Sequence, residues 1–177
     1  MKLLMTVTDG YEEVEAIGTL AILRRAGLDV TFASLYSSQA TGRYGVHVDG
    51  LVPLSEVDVD DYDMLIIPGG PEYVVEEKDP SFLAMVKKFF EEDKYVAAIC
   101  AGPTILGHLG LLKGRRYTCF TSMDEDFGGT YVDRYVVVDG RLITGRSCAA
   151  SIDFALAIVE TLLGKDKADR LKESIYY

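Results

Sequence analysis

The sequence is poor in the residues from which metal, disulfide and nucleic-acid sites are built. Histidine occurs twice, at His47 and His108, so a metal centre would have to gather its remaining ligands from distant parts of the chain, and none is expected. Cysteine occurs three times, at Cys100, Cys119 and Cys148. An odd count with no CxxC pairing argues against both a disulfide framework and a structural zinc site. Lys and Arg number 18 against 28 Asp and Glu, giving a formal net charge of −10. With no basic stripe to displace counterions, nucleic-acid backbones are not expected partners. No apolar run approaches the roughly 18 residues of a membrane helix, and "MKLLMTVTDGYEEVEA" turns acidic too soon for a signal-peptide core. The expectation is a cytoplasmic protein with no membrane partner. Repeats and linkers are also missing, and 177 residues, 49% of them apolar, read as one domain, 1–177, with a full core.

What is present is an alternation of short apolar runs with helix-period stretches. "KLLMTV" reads as a strand, "YEEVEAIGTLAILRRAG" as a helix closed by Gly27, and "DVTFASL" as a second strand. "DMLIIPGG" is strand then glycine turn, "PSFLAMVKKFFEED" a helix, "YVAAIC" a strand, and "GPTILGHLGLL" a helix with Pro103 in its first turn. Continuous apolarity in "MLII" and "VAAI" suits strands covered on both faces. The class is α/β, a mostly parallel central sheet between helical layers. Asp139-Gly140 in "VVVDGRLITG" signals an added antiparallel hairpin, and "TGRYGVHVDGLVPLSEV" holds another pair of short extended pieces. "SIDFALAIVETLLG" is an amphipathic helix ending at Gly164, followed by a charged helix or tail.

Open α/β sheets bind ligands beyond the carboxyl ends of their strands, and three such ends carry unusual residues: "TDGYEEVE", "PGGPEY" and "ICAGP". Cys100 stands where a strand hands over to a helix, with Ala98 two residues before and Gly102 two after. Small residues there are what a nucleophile elbow needs, because its tight turn brings those backbones together. On this reading the helix N-terminus favours the thiolate and lowers its pKa. The other reading is a small residue ending a buried strand. Asp9 with Glu12 fits a capping box. Glu15 falls at the edge of a stripe formed by Val14, Gly18 and Ala21, where a carboxyl resists ionisation and can donate or shuttle a proton. A solvated first-turn glutamate is the alternative. Gly69 and Gly70 allow amides to approach a ligand and, with the Ala101 amide, to form an oxyanion hole. An ordinary strand-to-loop turn accounts for them equally well.

The segments "DGYEEVEAIGTLAILRRAG", "YDMLIIPGG", "AAICAGPTIL" and "DFALAIVE" together resemble the ThiJ/PfpI superfamily, in the branch of small dimeric Parkinsonism-associated deglycases and their bacterial relatives. The resemblance implies a flavodoxin-like three-layer sandwich with an extra hairpin and a homodimer with the site near its interface. It implies that Cys100 is an oxidation-prone nucleophile, Glu15 the protonated acid at its sulfur, Gly70 and Ala101 amide donors, and Arg43 a residue carried toward the partner's site. Three departures stand out. Ala101 follows the cysteine where hydrolase-like relatives have histidine, Phe120 stands where some members have a histidine near the site, and Cys148 replaces the proline of a Gly-Pro-Gly turn lining the pocket. Cys148 is then either a resolving thiol or a small residue filling a turn. The implied activity is cofactor-independent removal of reactive dicarbonyls such as methylglyoxal, or of their adducts on proteins. The alternative is an oxidative-stress sensor or redox-regulated chaperone working through oxidation of Cys100.

Overall fold

The computed structural model describes all 177 residues. In chain order they form β1 (Lys2–Val7), a π turn (Val14–Gly18) leading into α1 (Thr19–Arg25), β2 (Asp29–Ser34), β3 (Gln39–Thr41), β4 (His47–Asp49) and β5 (Val52–Pro53). Next come β6 (Met64–Ile67), α2 (Tyr73–Glu76), α3 (Pro80–Glu91), β7 (Tyr95–Ile99), α4 (Gly102–His108), β8 (Arg116–Tyr117) and β9 (Thr130–Tyr131). The chain closes with β10 (Val136–Asp139), β11 (Leu142–Gly145), α5 (Ser151–Leu163) and α6 (Lys165–Ser174).

Seven strands make the central sheet in the order β10-β11-β7-β6-β1-β2-β5, and every pair is parallel except β10 with β11. The two-residue pleat sorts the strands' side chains between two cores. Leu3, Met5, Met64, Ile66, Ala97 and Ile99 pack with the α1, α5 and α6 layer. Leu4, Leu65, Ile67, Val96 and Ala98 face the opposite side, where α3 and α4 lie. Full burial of "MLII" follows from this double cover.

Local chemistry explains the element boundaries. Asp79 caps α3 by accepting from the Ser81 and Phe82 amides at 2.9 Å each, with Pro80 in the first turn. Phe82, Met85, Val86 and Phe89 then recur at the helical period on the buried face. In the β10–β11 hairpin Asp139 pairs with Leu142, so the loop is Gly140-Arg141, and Gly140 alone has a positive φ, +62°. Glycine at the first central position is what a type II′ turn requires.

Two expectations are corrected. The first concerns α1 and its lead-in turn, where the stripe of Val14, Gly18 and Ala21 is the outer side. Val14 is 53% exposed, whereas Glu15, Ala16, Thr19, Leu20 and Leu23 are buried. The segment is apolar almost all round, so apolarity did not single out a face. The second concerns Asp9, which caps no helix. Its Oδ1 accepts from the Thr41 amide at 2.8 Å, and Glu12 does the capping, accepting from the Glu15 amide at 2.8 Å.

Candidate active site

The sheet order reverses beside β1, because the chain runs from β1 outward through β2 and returns to β6 on β1's other side. The carboxyl ends of β1, β6 and β7 therefore lie next to one another, at the switch point where α/β sheets hold ligands.

Cys100 is the residue immediately after β7 and has φ +63°, a left-handed conformation that side chains seldom adopt. Bonds on both sides hold it there. Its amide donates to the Gly145 carbonyl at 2.9 Å, and its carbonyl accepts from the Phe120 amide at 2.8 Å. Gly102 is required by the same turn, since a Cβ there would stand 2.8 Å from the Ile67 carbonyl oxygen. The thiol is half-buried and, unlike an interior cysteine, still reachable.

Glu15 sits in the π turn and is 1% exposed. Its Oε2 accepts from the Gly69 amide at 2.9 Å. Oε1 has no hydrogen-bond partner, and the Cys100 thiol lies against this carboxyl. Burial pushes the Glu15 pKa up to about 7; the nearby Glu12 charge adds to this, while the bonds to Cys100 and Gly69 oppose it. The Cys100 thiol is pushed well up as well, first by burial, then by the negative Glu15 and the hydrogen bond to it, with the Ala101 amide opposing. This corrects the expectation of a lowered thiol pKa. α4 has only seven residues, and its terminus does not outweigh desolvation and an adjacent carboxylate. The two groups behave as a pair, and the sulfur becomes a good nucleophile when Glu15 carries the proton.

The glycines divide their work. A Cβ on Gly69 would lie 2.6 Å from the Cys100 Cβ and 2.7 Å from Glu15 Oε2, so glycine is what lets thiol and carboxyl close on each other. Its amide, expected among the oxyanion donors, is taken by Glu15. Gly70 has φ +115°, and a Cβ there would meet the Gly10 carbonyl oxygen and the Glu12 nitrogen at 2.6 Å. The Gly70 and Ala101 amides bond to no backbone carbonyl, and the Ala101 amide is directed at the Cys100 sulfur.

The remaining candidates are peripheral. Cys148 is exposed, at the head of a 3-10 turn before α5; burial and the charges of Glu12 and Glu15 raise its pKa. Arg43 lies at the exposed tip of the β3–β4 hairpin, its guanidinium 5.4 Å from the Tyr44 ring centroid, and it bonds to neither Cys100 nor Glu15 of its own chain. That tip is moored to the Glu15 segment. Glu13 Oε1 accepts from the Tyr44 amide at 2.6 Å, and the Tyr11 hydroxyl donates to the Val46 carbonyl at 2.8 Å.

A family model described as DJ-1/PfpI matches residues 1–161. The chain belongs to the DJ-1/PfpI family. It is 37% identical to Deglycase TK1284 of Thermococcus kodakarensis, over 82% of this chain and 90% of that protein. It is 34% identical to the glutathione-independent glyoxalase DJR-1.2 of Caenorhabditis elegans, over 96% of this chain and 92% of the other. Among solved structures, a cysteine-to-alanine mutant of the DJ-1 superfamily protein STM1931 from Salmonella typhimurium superposes with a TM-score of 0.93. That pair is 35% identical, over 99% of this chain and 98% of that one. The sandwich of mostly parallel strands with its small antiparallel hairpin is thus the DJ-1/PfpI fold.

Sequence reasoning missed two carboxyls that lie behind this DJ-1/PfpI site. Glu72 and Glu76, at the two ends of α2, are both 0% exposed. Glu72 Oε2 accepts from the Thr8 amide at 2.6 Å, in the loop leading to Glu15, while Glu72 Oε1 and both Glu76 oxygens have no partner. Burial raises both groups, Glu76 to about 8, and Glu72 is lifted further by the charges of Glu76 and Glu15. The one signal in the sequence was a pair of like charges four residues apart on a short helix, an arrangement that disfavours an exposed helix.

Proposed function

We propose that the protein is a cysteine-dependent, glutathione-independent glyoxalase or deglycase that converts reactive dicarbonyls such as methylglyoxal to hydroxy acids. The observation that carries this reading is the juxtaposition of a left-handed Cys100 with a buried Glu15 whose pKa is close to neutral. A group titrating near the working pH both accepts and returns a proton. The deglycase and glyoxalase names of the two relatives support the same reading.

The Cys100 sulfur attacks the aldehyde carbon while its proton passes through Glu15 to the carbonyl oxygen, giving a hemithioacetal. The Gly70 and Ala101 amides stabilise the charge that develops on that oxygen. Glu15, again a carboxylate, removes the proton from the former aldehyde carbon and delivers it to the neighbouring carbon, while the hydroxyl proton passes to the neighbouring carbonyl oxygen. The product is a hydroxyacyl thioester on Cys100. Water hydrolyses it, releasing the hydroxy acid and restoring the thiol. Sugar-derived adducts on thiols and amines present the same carbonyl chemistry. A homodimer would complete the site, with Arg43 of each copy approaching the partner's Cys100. Support comes from the exposed apolar residues Val14, Tyr44 and Val46 flanking that arginine.

The test is hydroxy-acid formation from methylglyoxal without glutathione. Cys100→Ser should lose activity by about two orders of magnitude or more, the usual scale for a covalent nucleophile. Wild-type turnover by that variant overturns the assignment.

A further inference from the structure

The loop that leads to Glu15 and the loop that carries the Gly70 amide are joined by a side chain the proposed reaction does not use. Thr8 is the first residue beyond β1, only 6% exposed, and its amide bonds to no backbone carbonyl. Its acceptor is Glu72 Oε2 at 2.6 Å, from a residue 64 positions along the chain and 0% exposed. A buried amide left unpaired is costly, so the Glu72 oxygen governs where the chain leaves the sheet. Further bonds run between the same two loops. The Glu12 amide donates to the Gly69 carbonyl at 2.8 Å, and the Gly69 amide donates to Glu15 Oε2 at 2.9 Å. The loops are packed backbone to backbone, so that a Cβ on Gly70 would meet the Gly10 carbonyl oxygen at 2.6 Å and one on Gly10 the Glu72 nitrogen at 3.4 Å. Glu72 stands two residues after Gly70 and is held by the turn of α2, where its carbonyl accepts from the Val75 and Glu76 amides at 2.8 and 3.1 Å. Glu76 is equally buried, yet neither of its oxygens has a partner.

We propose that Glu72 is a positioning residue of the reaction: by accepting the Thr8 amide it holds the β1 loop against the β6 loop, and so sets the Glu15 carboxyl and the Gly70 amide at working distance from the Cys100 sulfur. The proposal rests on Cys100 and Glu15 being the reacting pair and goes beyond it, since Glu72 itself bonds to neither. What counts is the acceptor oxygen and not the charge. Burial, then the charge of Glu76, holds the Glu72 carboxyl well above the usual carboxylate range; the Thr8 bond opposes this and the Glu15 charge adds to it. At neutral pH Glu72 is therefore an uncharged acid, whose carbonyl oxygen accepts from an amide as that of a glutamine does. Glutamine can replace it, and a side chain of similar bulk without an oxygen cannot. A displacement of about 1 Å in a reacting group is enough to lower a rate about a hundredfold.

The experiment uses the full-length protein and measures methylglyoxal turnover and, separately, the pH dependence of Cys100 alkylation by iodoacetamide, read on the Cys100 peptide by mass spectrometry. Glu72→Leu should lower kcat by about tenfold to a hundredfold with KM unchanged within about twofold. In the same variant the rise in Cys100 alkylation that Glu15 imposes near pH 7 should move to lower pH by about half a unit or more, as the freed loop admits water to the carboxyl. Glu72→Asp, whose carboxyl stops one methylene short of Thr8, should deviate in the same direction and serves if the Leu variant does not fold. Glu72→Gln should restore both readouts to wild type, and Glu76→Gln, which removes an acid that holds nothing, should alter neither. A folded Leu or Asp variant with wild-type kcat and an unmoved alkylation profile overturns the proposal and leaves the dicarbonyl reading intact. A Gln variant as slow as the Leu variant does the same, because the role would then belong to the proton and not to the acceptor. Alkylation needs no dicarbonyl, so it tests the placement of Glu15 even where Cys100→Ser retains turnover, the result that defeats the functional reading.

Discussion

Replacing Glu15 by Gln should make the protein more stable and less active, and the gain should depend on pH in a defined way. The Glu15 pKa rises from 4.5 to about 7 on folding. Such a rise corresponds to about 3 kcal/mol at 1.36 kcal/mol per pKa unit. Because the folded state holds the proton more tightly, the contribution is complete below the unfolded value and is lost as pH climbs through the folded one. Gln keeps an oxygen for the Gly69 amide but cannot ionise. Urea denaturation should therefore find the variant near wild-type stability at about pH 4 and more stable by about 3 kcal/mol at about pH 8. Hydroxy-acid production should fall by about two to four orders of magnitude, the range for loss of a positioned acid-base group. In the wild type, kcat/KM should rise through about pH 7 as Glu15 gives up its proton to solvent and becomes free to take up the thiol's. A stability difference that stays constant between the two pH values would refute the reasoning, because a mere packing change does not titrate.

Glu76→Gln should show the same pH trend in stability over a wider pH range and with a larger total change. Its pKa rises from 4.5 to about 8, so the wild type loses on the order of 5 kcal/mol between those values that the variant keeps. The buried amide lacks partners and costs about 1–3 kcal/mol, so the variant should be the less stable protein at about pH 4 and the more stable at about pH 9 in the same denaturation assay. Gly69→Ala places a methyl group 2.6 Å from the Cys100 Cβ and 2.7 Å from Glu15 Oε2. Overpacking of this kind costs about 1–3 kcal/mol, and prising the pair apart should lower kcat about a hundredfold with little change in KM, as steady-state kinetics would show.

Much of the architecture was written in local patterns. The strand "KLLMTV" corresponds residue for residue to Lys2–Val7, and the Asp139-Gly140 hairpin and the helix ending at Gly164 lie where their turn residues put them. Cys100 could be singled out because a small-x-Cys-x-Gly turn after an apolar strand leaves a mark in the chain. The orientation of α1 left none, because a segment reading "VEAIGTLAIL" offers two apolar faces and the core takes only one. The role of Gly69 depended on a residue 54 positions away accepting its amide proton, a long-range fact. The thiol's raised pKa and the unpartnered Glu72 and Glu76 likewise follow from how much water the folded chain excludes.

The π turn of Val14–Gly18 bears on how such chemistry can be gained or lost. One residue deleted there would rewind the segment to the ordinary helical pitch and turn the part of the segment that precedes the deletion by about 100° around the axis, the loop after β1 absorbing the change. Glu15 would then point away from Cys100 while β1, β6 and β7 stayed as they are. A single-codon change could thus separate an inert paralogue from a reactive one, with the scaffold of both indistinguishable at the level of the sheet.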